Sequence, residues 1–235
     1  MTPFLCLSII SNPVYITVYR LRQALEATIR PLALASISCL DVGCGDRPYE
    51  DLFGHGKYVG IDVKVSGRND KLKKPDIFYD GETIPYSDNQ FDLVLCTQVL
   101  EHVSDPLSLI KEMARVSTPG GGVIISLPFV YQEHEKPFDY FRFTSYGITE
   151  LIEKAGMNVV SIRKDSRSIE TLAILANVYI IHNLIPSNRF LRYMFYVLFT
   201  VFLCFPIQLI SLALSRFLPD NGDLYLNLVI HAKNK

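Results

Sequence analysis

The sequence predicts an α/β fold: a seven-stranded, mostly parallel sheet with helices on both faces, plus an apolar helical insertion between strands six and seven. Three observations predict it. Short apolar runs alternate with stretches whose apolar residues recur every three or four positions. The 235 residues suit one well-buried domain better than two. The hydrophobic surplus, a mean hydropathy of +0.21, is concentrated between Ile169 and Leu218 instead of being spread evenly.

From Pro13 to Pro31, Val14, Val18, Leu21, Leu25 and Ile29 mark the apolar stripe of a leading amphipathic helix. Strands are then predicted at Ile37–Val42, Tyr58–Val63, Asp76–Tyr79, Phe91–Cys96 and Val123–Leu127. Between the last two, Asp105 caps a helix that has Pro106 at its first position, carries Leu109, Ile110, Met113 and Val116 inward, and stops at Thr118–Gly122. A further helix starts at Thr144 or Ser145, carries Ile148, Leu151 and Ile152, and ends at Gly156. Asn158–Ile162 and Leu224–His231 read as strands six and seven. Four segments follow: an N-terminal helical part (1–35), a core (36–167), the insertion (168–221) and a final core strand (222–235).

Composition excludes several classes of function. A net charge of −1 and an isoelectric point near 6.5 give no basic footprint for a nucleic-acid partner. Cys6, Cys39, Cys44, Cys96 and Cys204 are scattered, without paired spacing, and read as reduced cytosolic thiols instead of a zinc site or disulfide frame. The opening ten residues are apolar but lack a basic start and a cleavage pattern, which argues against a secretory signal.

Immediately after the first strand, Gly43 and Gly45 flank Cys44. Glycines there let the backbone turn tightly and approach a ligand closely, with N–H groups facing its anionic end. The second strand ends in Asp62, twenty-one residues after Asp41, the spacing of a ribose-binding carboxylate. Arg47-Pro48 stand where a dinucleotide fingerprint would have its third glycine, which disfavours a nicotinamide or flavin enzyme.

The stretches LDVGCGDRPY (40–49), YVGIDV (58–63), DGETIPYSDNQFDLVLCTQVLEHV (80–103) and PGGGVIISLP (119–128) resemble the successive motifs of class I methyltransferases. The resemblance runs from Leu40 to Pro128, and more loosely to Met157. It implies a Rossmann-like sheet and S-adenosyl-L-methionine as cofactor. It further implies that Asp41, Gly43 and Gly45 line the methionine end, that Asp62 accepts from the ribose hydroxyls, that Asp80 meets the adenine amino group and that Gln98 faces the sulfonium. Asp41 also reads as a buried acid that caps loop N–H groups, and both roles stay open.

Methyl transfer from a sulfonium is an in-line displacement, so most of the protein's task is alignment in a water-poor pocket. An oxygen acceptor still benefits from a base, and His102 and His134 are the catalytic candidates because imidazole titrates near neutrality. Both lie in loops expected at the carboxyl ends of strands, where such sheets bind ligands. Glu101-His102 also reads as an anchor for the following helix and pocket floor. The stretch Gln98–His102 resembles the ExxEH metal-binding pattern of some methyltransferases, but Gln98 replaces its first carboxylate and no metal is expected. HEKPFDYFRFT (134–144) suits a substrate-facing loop, with Arg142 either clamping an anionic acceptor or pairing locally.

Tyr193–Ser215 carries no charge for twenty-three residues, long enough for a membrane span. If strands six and seven share a sheet, crossings must come in pairs, and the partner segment Ile169–Pro186 contains Glu170, Asn177, His182 and Asn183, a poor span. Pro206 interrupts the apolar run and allows two shorter helices. Arg189, Arg192 and Arg216 flank it. A helical hairpin that dips into the cytoplasmic leaflet through 190–218 is the favoured reading; a lid over the acceptor pocket, a homodimer surface and a two-span hairpin are the alternatives. The expected function is therefore methyl transfer to a small-molecule or glycan acceptor, one that can be lipid-linked, in the cytoplasm or on the cytoplasmic face of a membrane. A non-catalytic scaffold with the same fold and a nucleotide-sugar-modifying oxidoreductase are the competing readings.

Overall fold

The computed structural model describes residues 12–32, 37–54, 56–67 and 69–235. The expectation for the opening ten residues falls outside these. The chain divides into two compact units, one comprising residues 24–163 with 227–235 and the other the chain up to Gln23 with 164–226. The insertion thus gathers the first half of the leading helix, which the sequence had suggested as a segment of its own.

The larger unit is built on a seven-stranded sheet. In chain order its strands are β1 (Ser38–Val42), β2 (Lys57–Val63), β3 (Ile77–Tyr79), β4 (Phe91–Thr97), β5 (Ser117–Pro128), β6 (Asn158–Lys164) and β7 (Asn227–Lys233), arranged β3-β2-β1-β4-β5-β7-β6. β1 runs parallel to β2 and β4, with Leu40 opposite Val59 and Val94. β4 runs parallel to β5, and β7 pairs antiparallel to β5 with His231 opposite Ile124. The central strands bury both faces, so they read as continuous apolar runs: Leu40, Ile61, Val94, Ile124 and Ile230 are fully buried. Strand order reverses at β1, where β2 and β4 leave in opposite directions. That arrangement opens a crevice at the carboxyl ends of these three strands.

The leading helix α1 spans Tyr15–Ile29 and buries Ile16, Leu21, Leu25 and Ile29. Val18, expected on its apolar stripe, is instead 54% exposed. Helix α2 (Pro106–Val116) starts as its sequence dictates. Asp105 accepts the Ser108 N–H at 3.1 Å, Pro106 sits in the first turn, and Leu109, Ile110, Met113 and Val116 face inward. Helix α3 (Ser145–Lys154) is capped by Thr144, which accepts from the Gly147 N–H at 3.1 Å. β5 begins directly after α2, six residues earlier than the apolar run alone indicates. β7 begins three residues later than expected, because the Leu226 N–H donates to Ser166 Oγ at 2.8 Å within the other unit.

The smaller unit holds α4 (Ser168–Asn183), α5 (Arg189–Phe199), a π-helical turn (Thr200–Cys204) and α6 (Phe205–Leu214). Contrary to the break expected at Pro206, Arg189–Leu214 is one continuous helix of 26 residues. Proline lacks an N–H and crowds the preceding turn. The wider π turn just before it absorbs that defect. Asn177 donates to the Cys204 carbonyl at 3.2 Å and to the Pro13 carbonyl at 2.8 Å. Gln208 accepts the Ile16 N–H at 3.2 Å, and fully buried Glu170 accepts from Arg20 Nε at 3.0 Å. Glu170 and Asn177, two of the four polar residues that make 169–186 a poor span, therefore bind segments of this unit together. The helix from Arg189 to Leu214 is long and apolar enough to cross a membrane by length and composition. Phe190, Phe202 and Phe217 are 80%, 69% and 84% exposed.

Candidate cofactor cavity and acceptor-side cluster

A cavity of about 330 Å³ lies at the carboxyl ends of β1, β2 and β4, and Gly43, Asp62, Asp80, Gln98 and His102 all line it. Gly43 has φ of +74°, and a Cβ there would fall 2.4 Å from Val99 Cγ2, so only glycine lets the turn pass beneath that side chain. Gly45, φ +54°, donates its N–H to Asp62 Oδ2 at 2.9 Å. Asp62 thereby anchors the glycine turn from the neighbouring strand while facing the cavity. Its Oδ1 accepts from the Val63 N–H at 2.7 Å and from Lys73 Nζ at 2.9 Å.

Asp80 accepts the N–H groups of Glu82 and Thr83 at 2.8 and 3.0 Å, which fix its orientation and hold its pKa below the usual carboxylate range. Gln98 takes a left-handed backbone, φ +55°, unusual without glycine, and its side-chain amide donates to Ser126 Oγ at 3.4 Å.

Asp41 does not line the cavity. It is fully buried beneath the glycine turn, where it accepts from the Tyr58 hydroxyl instead of from loop N–H groups, and its Oδ1 has no partner. Burial pushes its pKa up to about 7 against the opposing effect of the Tyr58 hydrogen bond.

In the loop after β4, His102 Nδ1 lies 2.8 Å from the Phe138 carbonyl oxygen. A carbonyl can only accept, so Nδ1 carries a proton, and Nε2 is the ring nitrogen left to offer a lone pair when the ring is neutral. Nε2 stands 3.9 Å from Glu101 Oε1. Glu101 is fully buried, neither carboxylate oxygen has a partner, and burial raises its pKa to about 8. Its backbone carbonyl accepts the N–H groups of Tyr140 and Phe141 at 2.8 and 3.2 Å, tying the loop after β5 to the loop after β4.

His134 packs edge-on against His102 with ring centroids 4.8 Å apart, but it does not line the cavity. Its Nδ1 is 3.3 Å from Asp139 Oδ2. Arg142 donates to Asp139 at 2.6 and 2.8 Å and to the Gln132 carbonyl at 3.1 Å, so of its two expected roles the structure shows local pairing. That pairing holds Asp139 well below the usual carboxylate range, while burial and His102 hold His134 below the usual imidazole value.

Donor atoms of Glu101, His102 and His134 all lie within 4.8 Å of one another. This trio was not expected as a metal set, because the sequence pattern lacked its first carboxylate at Gln98. Lys73 was also not foreseen. It sits in the run Lys71-Leu72-Lys73-Lys74, which reads as a solvated segment, yet its side chain is only 3% exposed.

Comparison with known proteins identifies the family. The model of a family described as a methyltransferase domain matches residues 17–162. A ubiquinone biosynthesis O-methyltransferase of Thiobacillus denitrificans is 35% identical over 106 residues, 40% of this chain and 45% of the relative. A demethylmenaquinone methyltransferase of Bacillus licheniformis is 29% identical over 157 residues, 60% of this chain and 68% of the relative. Of the ubiquinone biosynthesis O-methyltransferases it matches, the chain spans about half the length. In fold, the chain is similar to an S-adenosylmethionine-dependent methyltransferase of Mesorhizobium loti, with a TM-score of 0.52 at 13% identity over 88% of this chain and 96% of that one. The glycine turn beside Asp62 fits the cofactor of such enzymes, and the family match covers every residue of the cavity: the chain belongs to the methyltransferase-domain family of class I S-adenosylmethionine-dependent methyltransferases.

Proposed function

We propose that this chain transfers a methyl group from S-adenosyl-L-methionine to an oxygen of a small-molecule acceptor that reaches the enzyme from a membrane surface. One observation carries the reading: Gly43, Asp62, Asp80 and Gln98 line one cavity together with His102. The bound cofactor supplies an electrophilic methyl group. Asp62 and Asp80 would hold its ribose and adenine ends, while Gly43 and Gln98 bring backbone and amide to its reacting end. Val99, Val103, Phe138 and Tyr140 supply the cavity's apolar lining. His102 Nε2 takes the acceptor's proton as the displacement proceeds, and the Phe138 carbonyl holds the ring in the tautomer that can do so. His134 supports His102 from behind.

The O-methyltransferase name of the Thiobacillus relative and the quinone names of both relatives support a small hydroxylated acceptor over a glycan. The exposed apolar residues of Arg189–Leu214, flanked by exposed Arg189, Arg192 and Arg216, support peripheral contact with an anionic cytoplasmic leaflet. The test is transfer of radiolabelled methyl to hydroxylated aromatic compounds, with and without anionic vesicles. Labelled product that increases with vesicles is expected; label appearing only on glycans would overturn the acceptor class.

The unpartnered carboxylate of Glu101 favours a second reading, in which Glu101, His102 and His134 hold a divalent cation. Two imidazoles and one carboxylate suit a first-row transition metal better than magnesium or calcium. Stoichiometric metal in the purified protein, lost in His134→Ala, would favour this reading over a free imidazole base.

A further inference from the structure

We propose that Lys73 is a displaceable internal counter-ion: its ammonium group holds the ribose-side seat on Asp62 until the adenosyl group of the cofactor takes it. The proposal rests on the methyltransferase reading and names a residue of the same cavity that neither the sequence motifs nor the comparisons assign.

Lys73 Nζ has three acceptors, Asp62 Oδ1 at 2.9 Å, the Val63 carbonyl at 2.7 Å and Ser66 Oγ at 2.9 Å. Its side chain and that of Asp62 are 3% and 8% exposed, so the ion pair is shielded from water. A carboxylate offers about four lone-pair sites. On Asp62 three are filled, by the N–H groups of Gly45 and Val63 and by Lys73. A ribose diol brings two hydroxyl donors, and one remaining site cannot take both. The Gly45 N–H is held in the glycine turn and the Val63 N–H belongs to the strand end, which leaves the flexible lysine as the donor that can leave.

The same ammonium ties the loop after β2 through Ser66. That loop rests on the acceptor side of the cavity: a Cβ on Gly67 would fall 2.1 Å from the Glu135 carbonyl oxygen. Glu135 adjoins His134, so exchange of counter-ion for ribose at Asp62 releases one tether of a loop that touches the turn carrying the acceptor-side histidine.

The test is calorimetric titration of S-adenosylhomocysteine into the wild type and into Lys73→Met, with the side-chain amine of Lys73 followed by nitrogen-15 NMR in the wild type. Removing the competing ammonium should tighten binding on the order of tenfold, because the ligand no longer breaks a shielded charge-assisted hydrogen bond. In the wild type, the protected amine signal of the free protein should disappear on saturation. Unchanged or weaker binding by Lys73→Met, or an amine signal that persists in the complex, would overturn the displacement. Absence of binding by the wild type would overturn the methyltransferase reading instead, and the two failures are distinguishable.

Discussion

Glu101 and His102 are adjacent in the chain, and His102 Nε2 stands 3.9 Å from a Glu101 carboxylate that is fully buried and has no hydrogen-bond partner. Burying a polar group without a partner is costly, so its persistence points to function at this spot. His102 lines the cavity and Glu101 does not, so the proposed reaction gives His102 the reacting role and Glu101 a supporting one.

His102→Ala should therefore lower turnover by about 10²–10⁴-fold while cofactor affinity stays near the wild-type value. His134→Ala, which removes a neighbour and not a cavity wall, should cost less. Steady-state kinetics with calorimetry on both variants checks the order. Equal losses in melting temperature for both, with no selective loss of turnover, would assign the pair to structure alone.

The buried carboxyl of Asp41 should make stability depend on pH. Its folded pKa of about 7 lies above its ordinary 3.8. Below pH 4 folded and unfolded chains both keep the proton and its contribution is fully present. Between about 4 and 7 the unfolded chain releases the proton that the folded chain retains, so stability falls as pH rises, by about 4 kcal/mol over the whole window. Asp41→Asn keeps an acceptor for the Tyr58 hydroxyl and cannot ionise. Chemical denaturation from pH 4 to 8 should show the variant gaining on the wild type as pH rises; parallel curves would mean that Asp41 is not protonated in the fold.

Replacing Arg189, Arg192 and Arg216 together by glutamine should weaken adhesion to anionic vesicles, by roughly 1 kcal/mol for each charge near the surface, and the loss should shrink at high salt. Co-sedimentation measures it. Retained adhesion would contradict the leaflet contact, and a concentration-dependent dimer in its absence would assign the apolar helix to a second copy of the chain.

Local patterns carried much of this structure. Asp105, Pro106 and the stripe from Leu109 to Val116 announce α2 because caps and periodicity are local signals. Gly43, Asp62, Asp80, Gln98 and His102 were legible because each follows or ends an apolar strand, and parallel strands deliver their carboxyl ends to one place. What was not legible depends on distant packing. Lys73 looks solvated in its basic run, and only the fold buries it against Asp62. Tyr140 and Phe141 meet the Glu101 backbone from a later loop, a contact that no local pattern shows. Arg20 meets Glu170 across 150 residues, which no window of sequence shows. Pro206 reads as a break because sequence signals proline's missing N–H but not the π turn that accommodates it.

The proposed chemistry requires the cavity beside Asp62 to hold S-adenosyl-L-methionine. Calorimetric titration of the purified chain with S-adenosylmethionine and S-adenosylhomocysteine, with NAD as control and Asp62→Ala as the paired variant, tests it most directly. Micromolar binding of the first two is expected, none of NAD, and at least about tenfold weaker binding by the variant, because hydrogen bonds to a charged group contribute about 1.5–3 kcal/mol. Binding of NAD, no binding of either sulfur compound, or equal affinity in Asp62→Ala would contradict it.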